Sequence, residues 1–120
     1  IHTAECESEL QRIYGRDCFV QASVVICACG LPEQNWVRRD GKNYNDVDVA
    51  IVMDHIILAA ADLGLGTCWI GAFDPAAARE VLGLPEGVEP IAFTPLGYPA
   101  AEPRPKTRKD RSDLVRYERW

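Results

Sequence analysis

Nineteen residues, Val47–Leu65 (VDVAIVMDHIILAAADLGL), constrain this chain more than any other stretch. They are nearly all apolar, with Asp48, His55 and Asp62 as the main polar interruptions. Those three lie seven residues apart, so on a 3.6-residue helix they form one narrow polar stripe. A helix that is apolar around most of its circumference must be covered from several sides. With Asp54 the run carries four ionisable residues, too many for a membrane span. It therefore reads as a long central core helix, with a partner subunit as a source of part of its cover.

The helix has a marked end. Leu63-Gly64-Leu65-Gly66 fits a C-terminal cap, with Gly64 left-handed and Leu65 folding back on the last turn. Thr67-Cys68-Trp69-Ile70 then reads as a short strand of β-branched and aromatic residues. Gly71 and Ala72 place two small residues at its end, and Asp74-Pro75 opens another helix as N-cap and first position. Small residues there let backbone amides approach a flat or anionic ligand closely. The same local chemistry also describes an ordinary helix–turn–strand junction.

At 120 residues and 48% hydrophobic, the chain suits one globular domain, residues 1–120, with a moderate core. It starts at Ile1 rather than Met, and its acidic first ten residues carry no secretory signal, which points to a fragment or a processed chain. The five cysteines (Cys6, Cys18, Cys27, Cys29, Cys68) are odd in number and irregularly spaced, so a reducing cytoplasm is expected rather than a disulfide framework. Cys27-x-Cys29 points two thiols to one strand face, but the spacing is short for zinc and no second ligand pair exists. No metal is expected, and both read as core cysteines; His55 reads as solvated or hydrogen-bonded rather than as a ligand. Net charge is −5, divided between an acidic body of −8 and a basic stretch of +3 over residues 102–120. An acidic body argues against nucleic acid as a partner and suits a local anion site better.

Along the chain, residues 5–14 read as the end of a helix closed near Gly15, and Phe19–Cys29 (FVQASVVICAC) as one buried strand. Glu33–Lys42 is polar apart from Trp36 and Val37, a loop with a turn at Asp40-Gly41 that forms a lid or packs on the body. Pro75–Leu82 is a short helix closed by Gly83. Glu89–Leu96 is a strand whose prolines, Pro90 and Pro95, suggest an edge or a bulge. A stretch rich in proline and charge follows, and Leu114–Trp120 alternates as a short terminal strand.

Taken together, GLGTCWIGAFD after an alanine-rich helix, LGYP after a proline-bearing strand, then PKTRKDRSDL and YERW, resemble the nitroreductase family of flavoproteins. The resemblance runs from about Phe19 to Trp120. It implies an α+β fold, a mixed sheet flanked by helices around a long central helix, in an intertwined homodimer. It also implies flavin mononucleotide (FMN) at the subunit interface and NAD(P)H as electron donor. The cycle would be ping-pong: hydride reaches the flavin first, then a small-molecule acceptor such as a nitroaromatic or quinone takes the electrons. The flavin carries that chemistry, so no catalytic acid, base or nucleophile is assigned.

By this resemblance the backbone of Trp69, Ile70, Gly71 and Ala72 lies against the flavin ring. Lys106 and Arg108, two apart in an extended segment, face the flavin phosphate together. Trp36 and its loop would border the acceptor. Residues 1–18 carry nothing like the family's arginine-rich N-terminal motif, which also grips the phosphate and ribityl chain. That departure keeps two alternatives open: a flavin-binding subunit that joins a second chain bearing the missing segment without catalysing, and a relative with different flavin chemistry.

Overall fold

The structure, a computed structural model, describes residues 1–103 and 105–120. Arg104, in the proline- and charge-rich stretch, lies outside the described residues. The elements are α1 (Glu7–Ile13), α2 (Asp17–Gln21), β1 (Val24–Gly30), α3 (Asn45–Asp62), β2 (Gly66–Thr67), α4 (Pro75–Leu82), β3 (Glu89–Gly97) and α5 (Arg111–Leu114). The strands form an antiparallel sheet in the order β1-β3-β2. One face carries α1, α2 and α4 around Leu10, Ile13, Phe19, Val25, Ala78 and Phe93; the other carries α3 around Ala28, Val49, Met53 and Ala92. This α+β sandwich is the architecture expected of the family resemblance. Among the described residues no helix is long and apolar enough to cross a membrane.

Phe19–Cys29 is not one strand. Its first part, through Gln21, is the short helix α2, and only Val24 onward is extended. A continuous apolar run is equally compatible with a buried helix turn and a buried strand. What selects the helix is Phe19, fully buried edge-on between Tyr14 and Phe93 with ring centroids 5.6 Å from each.

β3 occupies the centre of the sheet despite its prolines, so the edge expectation fails and the bulge expectation holds. Ala28 pairs with Ala92 and Cys29 with Pro90, which leaves Ile91 as the extra residue. Pro95 is tolerated for a different reason. Its partner Val25 commits both backbone groups to Ile1 on the far side, so the amide that Pro95 lacks falls on the β2 side. There the ladder is interrupted. The expected strand Thr67–Ile70 is reduced to Gly66–Thr67, and Ile70 rejoins as an isolated bridge to Phe93. Between them the Cys68 amide donates to the Thr94 hydroxyl at 3.1 Å.

Helix ends follow local chemistry. Gly64 is left-handed (φ 72°), as the cap pattern requires, and the Leu65 amide reaches back to the Ala60 carbonyl. Asp74 caps α4 by accepting from the amides of Ala76 and Ala77 at 2.9 and 3.0 Å. The terminal strand does not form within this chain. Arg111–Leu114 makes one helical turn, and residues 115–120 are exposed and join no strand among the described residues, because alternation alone supplies no neighbouring edge.

Replacing Asp74 by Ala should lower stability by about 1 kcal/mol, and Asp74→Asn by much less, since asparagine caps comparably. Urea unfolding checks this, with a lower midpoint and an unchanged slope.

Candidate functional site

The Ile70–Asp74 junction is built from the core outward. Ile70 is buried, and its amide and carbonyl exchange hydrogen bonds of 2.9 Å with Phe93. Trp69, on the previous residue, is about half exposed, and Gly71 and Ala72 are exposed. A side-chain carbon built on Gly71 would meet only Trp69 Nε1, at 3.7 Å. The backbone here therefore presents an open surface on a rigid support. The anion half of the expectation is weaker at this place. The amides of Ala76 and Ala77 already serve the Asp74 carboxylate, so the α4 N-terminus has little left to offer a phosphate.

Lys106 and Arg108 are exposed on a segment outside any helix or strand, and among the described residues neither makes an ion pair or a side-chain hydrogen bond. The described residues form two clefts. One of about 360 Å³ is lined by Cys18, Gln21, Gly66–Cys68, Pro95 and Gly97–Ala100 among others. The other, about 400 Å³, lies between the end of β1 and α3 and is lined by Cys27, Cys29, Leu31, Asn45, Val52 and Ile56 among others.

The Trp36 segment is an ordered hairpin rather than a loose lid. Val37 bridges Asn43, and Gly41 takes φ 84° in the turn. Arg38 holds Asp40 through contacts of 2.6 and 2.9 Å and donates to the Tyr44 hydroxyl at 3.0 Å. That guanidinium, helped by the Lys42 amide, keeps the Asp40 carboxyl below its ordinary pKa. Trp36 packs edge-on against Tyr44 (4.7 Å) yet stays 60% exposed. Asn35 ties the hairpin to α3 by donating to Asp48 at 2.6 Å.

Sequence reasoning missed Asn45 and Gly30. Asn45 is buried at the start of α3, and its Oδ1 is without a hydrogen-bond partner. A side-chain carbon on Gly30 would overlap the Asn45 amide group. Gly30-Leu31-Pro32 signals a strand end in the sequence, but nothing local says that Gly30 must make room for a side chain from the start of α3. Cys29 is exposed and Cys27 half-buried, so the core reading of this pair holds for Cys27 alone. His55 is exposed, as expected.

The sequence profile of the Nitroreductase family matches residues 7–98. The chain belongs to the nitroreductase family. It is 31% identical over 109 residues to an Archaeoglobus fulgidus protein provisionally named NADH dehydrogenase/NAD(P)H nitroreductase, covering 82% of this chain and 58% of that one. A Staphylococcus haemolyticus protein named NADPH-dependent oxidoreductase is 36% identical over 66 residues, 50% of this chain and 26% of its own. A crystal structure of a nitroreductase family protein from Clostridium difficile 630 superposes with a TM-score of 0.88 at 34% identity, over all of this chain and 72% of that one. The chain thus spans little more than half of the Archaeoglobus relative and about a quarter of the staphylococcal one. The helix–sheet arrangement of this nitroreductase family member is the fold those structures share.

Gly30→Ala should be disproportionately costly. The added methyl must displace Asn45 from a packed helix start, and overpacking of this kind costs about 1–3 kcal/mol. Thermal unfolding should show it, while Gly41→Ala, with open space around it but φ 84°, tests backbone strain separately.

Proposed function

We propose that this chain supplies part of the FMN site of an NAD(P)H-dependent oxidoreductase acting on nitroaromatic, quinone or related small acceptors. The observation that carries the proposal is the open backbone at Gly71–Ala72, held from beneath by the Ile70–Phe93 hydrogen bonds. A flat, rigid surface without side-chain bulk suits a planar ring, and the residues present fit such a group. Trp69, Ile70, Gly71 and Ala72 would carry the ring, and Lys106 and Arg108 the phosphate. FMN, when bound, supplies the hydride and electron transfer. The chain's own part is to seat the ring, balance the phosphate charge and limit water on the ring face. Trp36, rigidly mounted and exposed, would border the acceptor in this reading. Residues 1–120 act in this reading as one nitroreductase-like domain.

A homodimer belongs to the same proposal. α3 buries Val49, Met53 and Ala60 against its own sheet, but Ile51, Val52 and Leu58 remain more than half exposed. Val47, Ile51 and Leu58 fall in one row on one flank of the Asp48–His55–Asp62 stripe. Such a row favours a second copy over solvent. The edge of β1 supports it too. Ile1–Thr3 pairs alongside Ser23–Val25 only, leaving the edge beyond open to a strand such as the partner's Arg116–Trp120. The alternative is a flavin-binding subunit that joins a second chain without catalysis.

Two measurements separate these readings. Charged hydrogen bonds contribute about 1.5–3 kcal/mol each, so Lys106→Ala/Arg108→Ala should weaken FMN binding by about a hundredfold or more. Riboflavin, which lacks the phosphate, should bind nearly as before in a fluorescence titration. Equal losses for both would remove the clamp, and no flavin binding by the wild-type assembly would favour the non-catalytic subunit.

Light scattering tests the dimer. Ile51→Asp/Leu58→Asp should move the mass from dimer to monomer with unchanged circular dichroism, because neither residue packs in its own chain's core. A wild-type monomer at micromolar concentration would end that part of the proposal.

A further inference from the structure

Cys27 and Cys29 lie two apart on β1, so their side chains project from one face of the sheet, the face that carries α1, α2 and α4. Ala28 between them faces α3. Cys27 is half-buried against the core of its face, whereas Cys29 is exposed. Their Sγ atoms are 3.5 Å apart. Neither thiol has a part in the proposed flavin site. We propose that Cys27 and Cys29 form a redox-active dithiol, which closes to a disulfide by exchange with small aliphatic disulfides.

Strand geometry sets how hard this closure is. Two residues of extended chain, at a rise of about 3.2–3.4 Å each, put the Cα atoms roughly 6.4–6.8 Å apart. Disulfides span Cα separations of about 4.4–6.8 Å, so the pair sits at the upper limit and closes under strain. The backbone here has room to give. Beyond Val25 the outer edge of β1 joins no other strand among the described residues, and on the inner edge the ladder slips between Ala28 and Cys29. Strained or exposed disulfides are the readily reduced ones. The bond therefore suits reversible exchange rather than stapling of the fold.

Burial divides the two roles. It pushes the Cys27 thiol well above its ordinary pKa, and the hydrogen bond and charge of Cys29 add to the effect. At neutral pH Cys27 therefore rests protonated, and the exposed Cys29 makes the first attack as the thiolate. On a disulfide R–S–S–R, a bond forms between Cys29 Sγ and one sulfur, the R–S–S–R bond breaks and RS⁻ leaves. In that mixed disulfide Cys29 has lost its charge, so burial alone still holds the Cys27 proton. Cys27 then attacks Cys29 Sγ, and the second RS⁻ departs. The two thiol protons end on the two RSH products. Two electrons pass from the dithiol to R–S–S–R, and no other oxidant is needed.

The test mixes the full reduced chain with 2-hydroxyethyl disulfide, quenches with acid and maps the cysteine peptides by mass. In wild type the peptide bearing both cysteines should become two hydrogens lighter, with no lasting adduct on Cys29. 2-Mercaptoethanol alone should reopen the link. Cys27→Ser should stall with one hydroxyethylthio group on Cys29, because the second thiol is missing. In Cys29→Ser, modification of the half-buried Cys27 should be about tenfold slower or more than that of Cys29 in Cys27→Ser. Cys18→Ser and Cys68→Ser, which alter the other exposed thiols, should leave the link unchanged. Wild type decides the matter even if Cys27→Ser fails to fold. A hydroxyethylthio adduct that persists on Cys29 while Cys27 stays reduced would overturn the proposal. So would a link that 2-mercaptoethanol does not open, or Cys27 and Cys29 reacting at equal rates in the two variants.

Discussion

The reciprocal hydrogen bonds between Ile70 and Phe93 hold the two halves of this molecule in register. Phe93 lies in the middle of the central strand and at the centre of an aromatic cluster, edge-on to Phe19 at 5.6 Å and to Phe73 at 4.8 Å. Ile70 reaches the same place from the far end of α3, after the chain has left the ladder at Cys68–Trp69. Without that pair the Gly71–Ala72 backbone would be a loose loop. With it, an exposed segment lacking side-chain bulk acquires the rigidity of the core beneath it.

The gap before Ile70 and the exposure after it have one cause. Pro95 cannot donate, and β1 turns its vacant side toward β2. The buried Thr94 hydroxyl satisfies the Cys68 amide in place of the missing ladder. A proline in a central strand is therefore tolerated, and Trp69, next to the interrupted stretch, is about half exposed.

Helix α3 is the other organising element, and it is only half used within one chain. Val49, Met53 and Ala60 face the sheet, while Ile51 and Leu58 face solvent on the opposite side. Gly30 and Asn45 fix where it starts, since the strand end approaches the amide too closely for any side chain. The Trp36 hairpin is fastened to its first turn through Asn35 and Asp48. The cleft of about 400 Å³ lies in the same corner, between strand end, hairpin and helix.

Local chemistry was legible wherever one residue type dictates one geometry. The left-handed glycines at Gly64 and Gly83, the Asp74 cap, the Asp40-Gly41 turn and the all-round apolar helix all follow from sequence, because each depends on neighbours a few residues away. Phe19–Gln21 did not, since a short apolar run suits helix and strand equally until Tyr14 and Phe93 close around it. Nor did the central place of β3, because which side of a strand lacks its proline amide depends on what Ile1 and Val25 do elsewhere. The family's motifs were readable as a combination of short segments. That Cys29 is exposed beside a pocket while Cys27 is half-buried, that Gly30 makes room for Asn45, and that Leu114–Trp120 finds no edge within its own chain were decided only by tertiary structure. Each depends on residues distant in sequence meeting in space, which periodicity and composition do not encode.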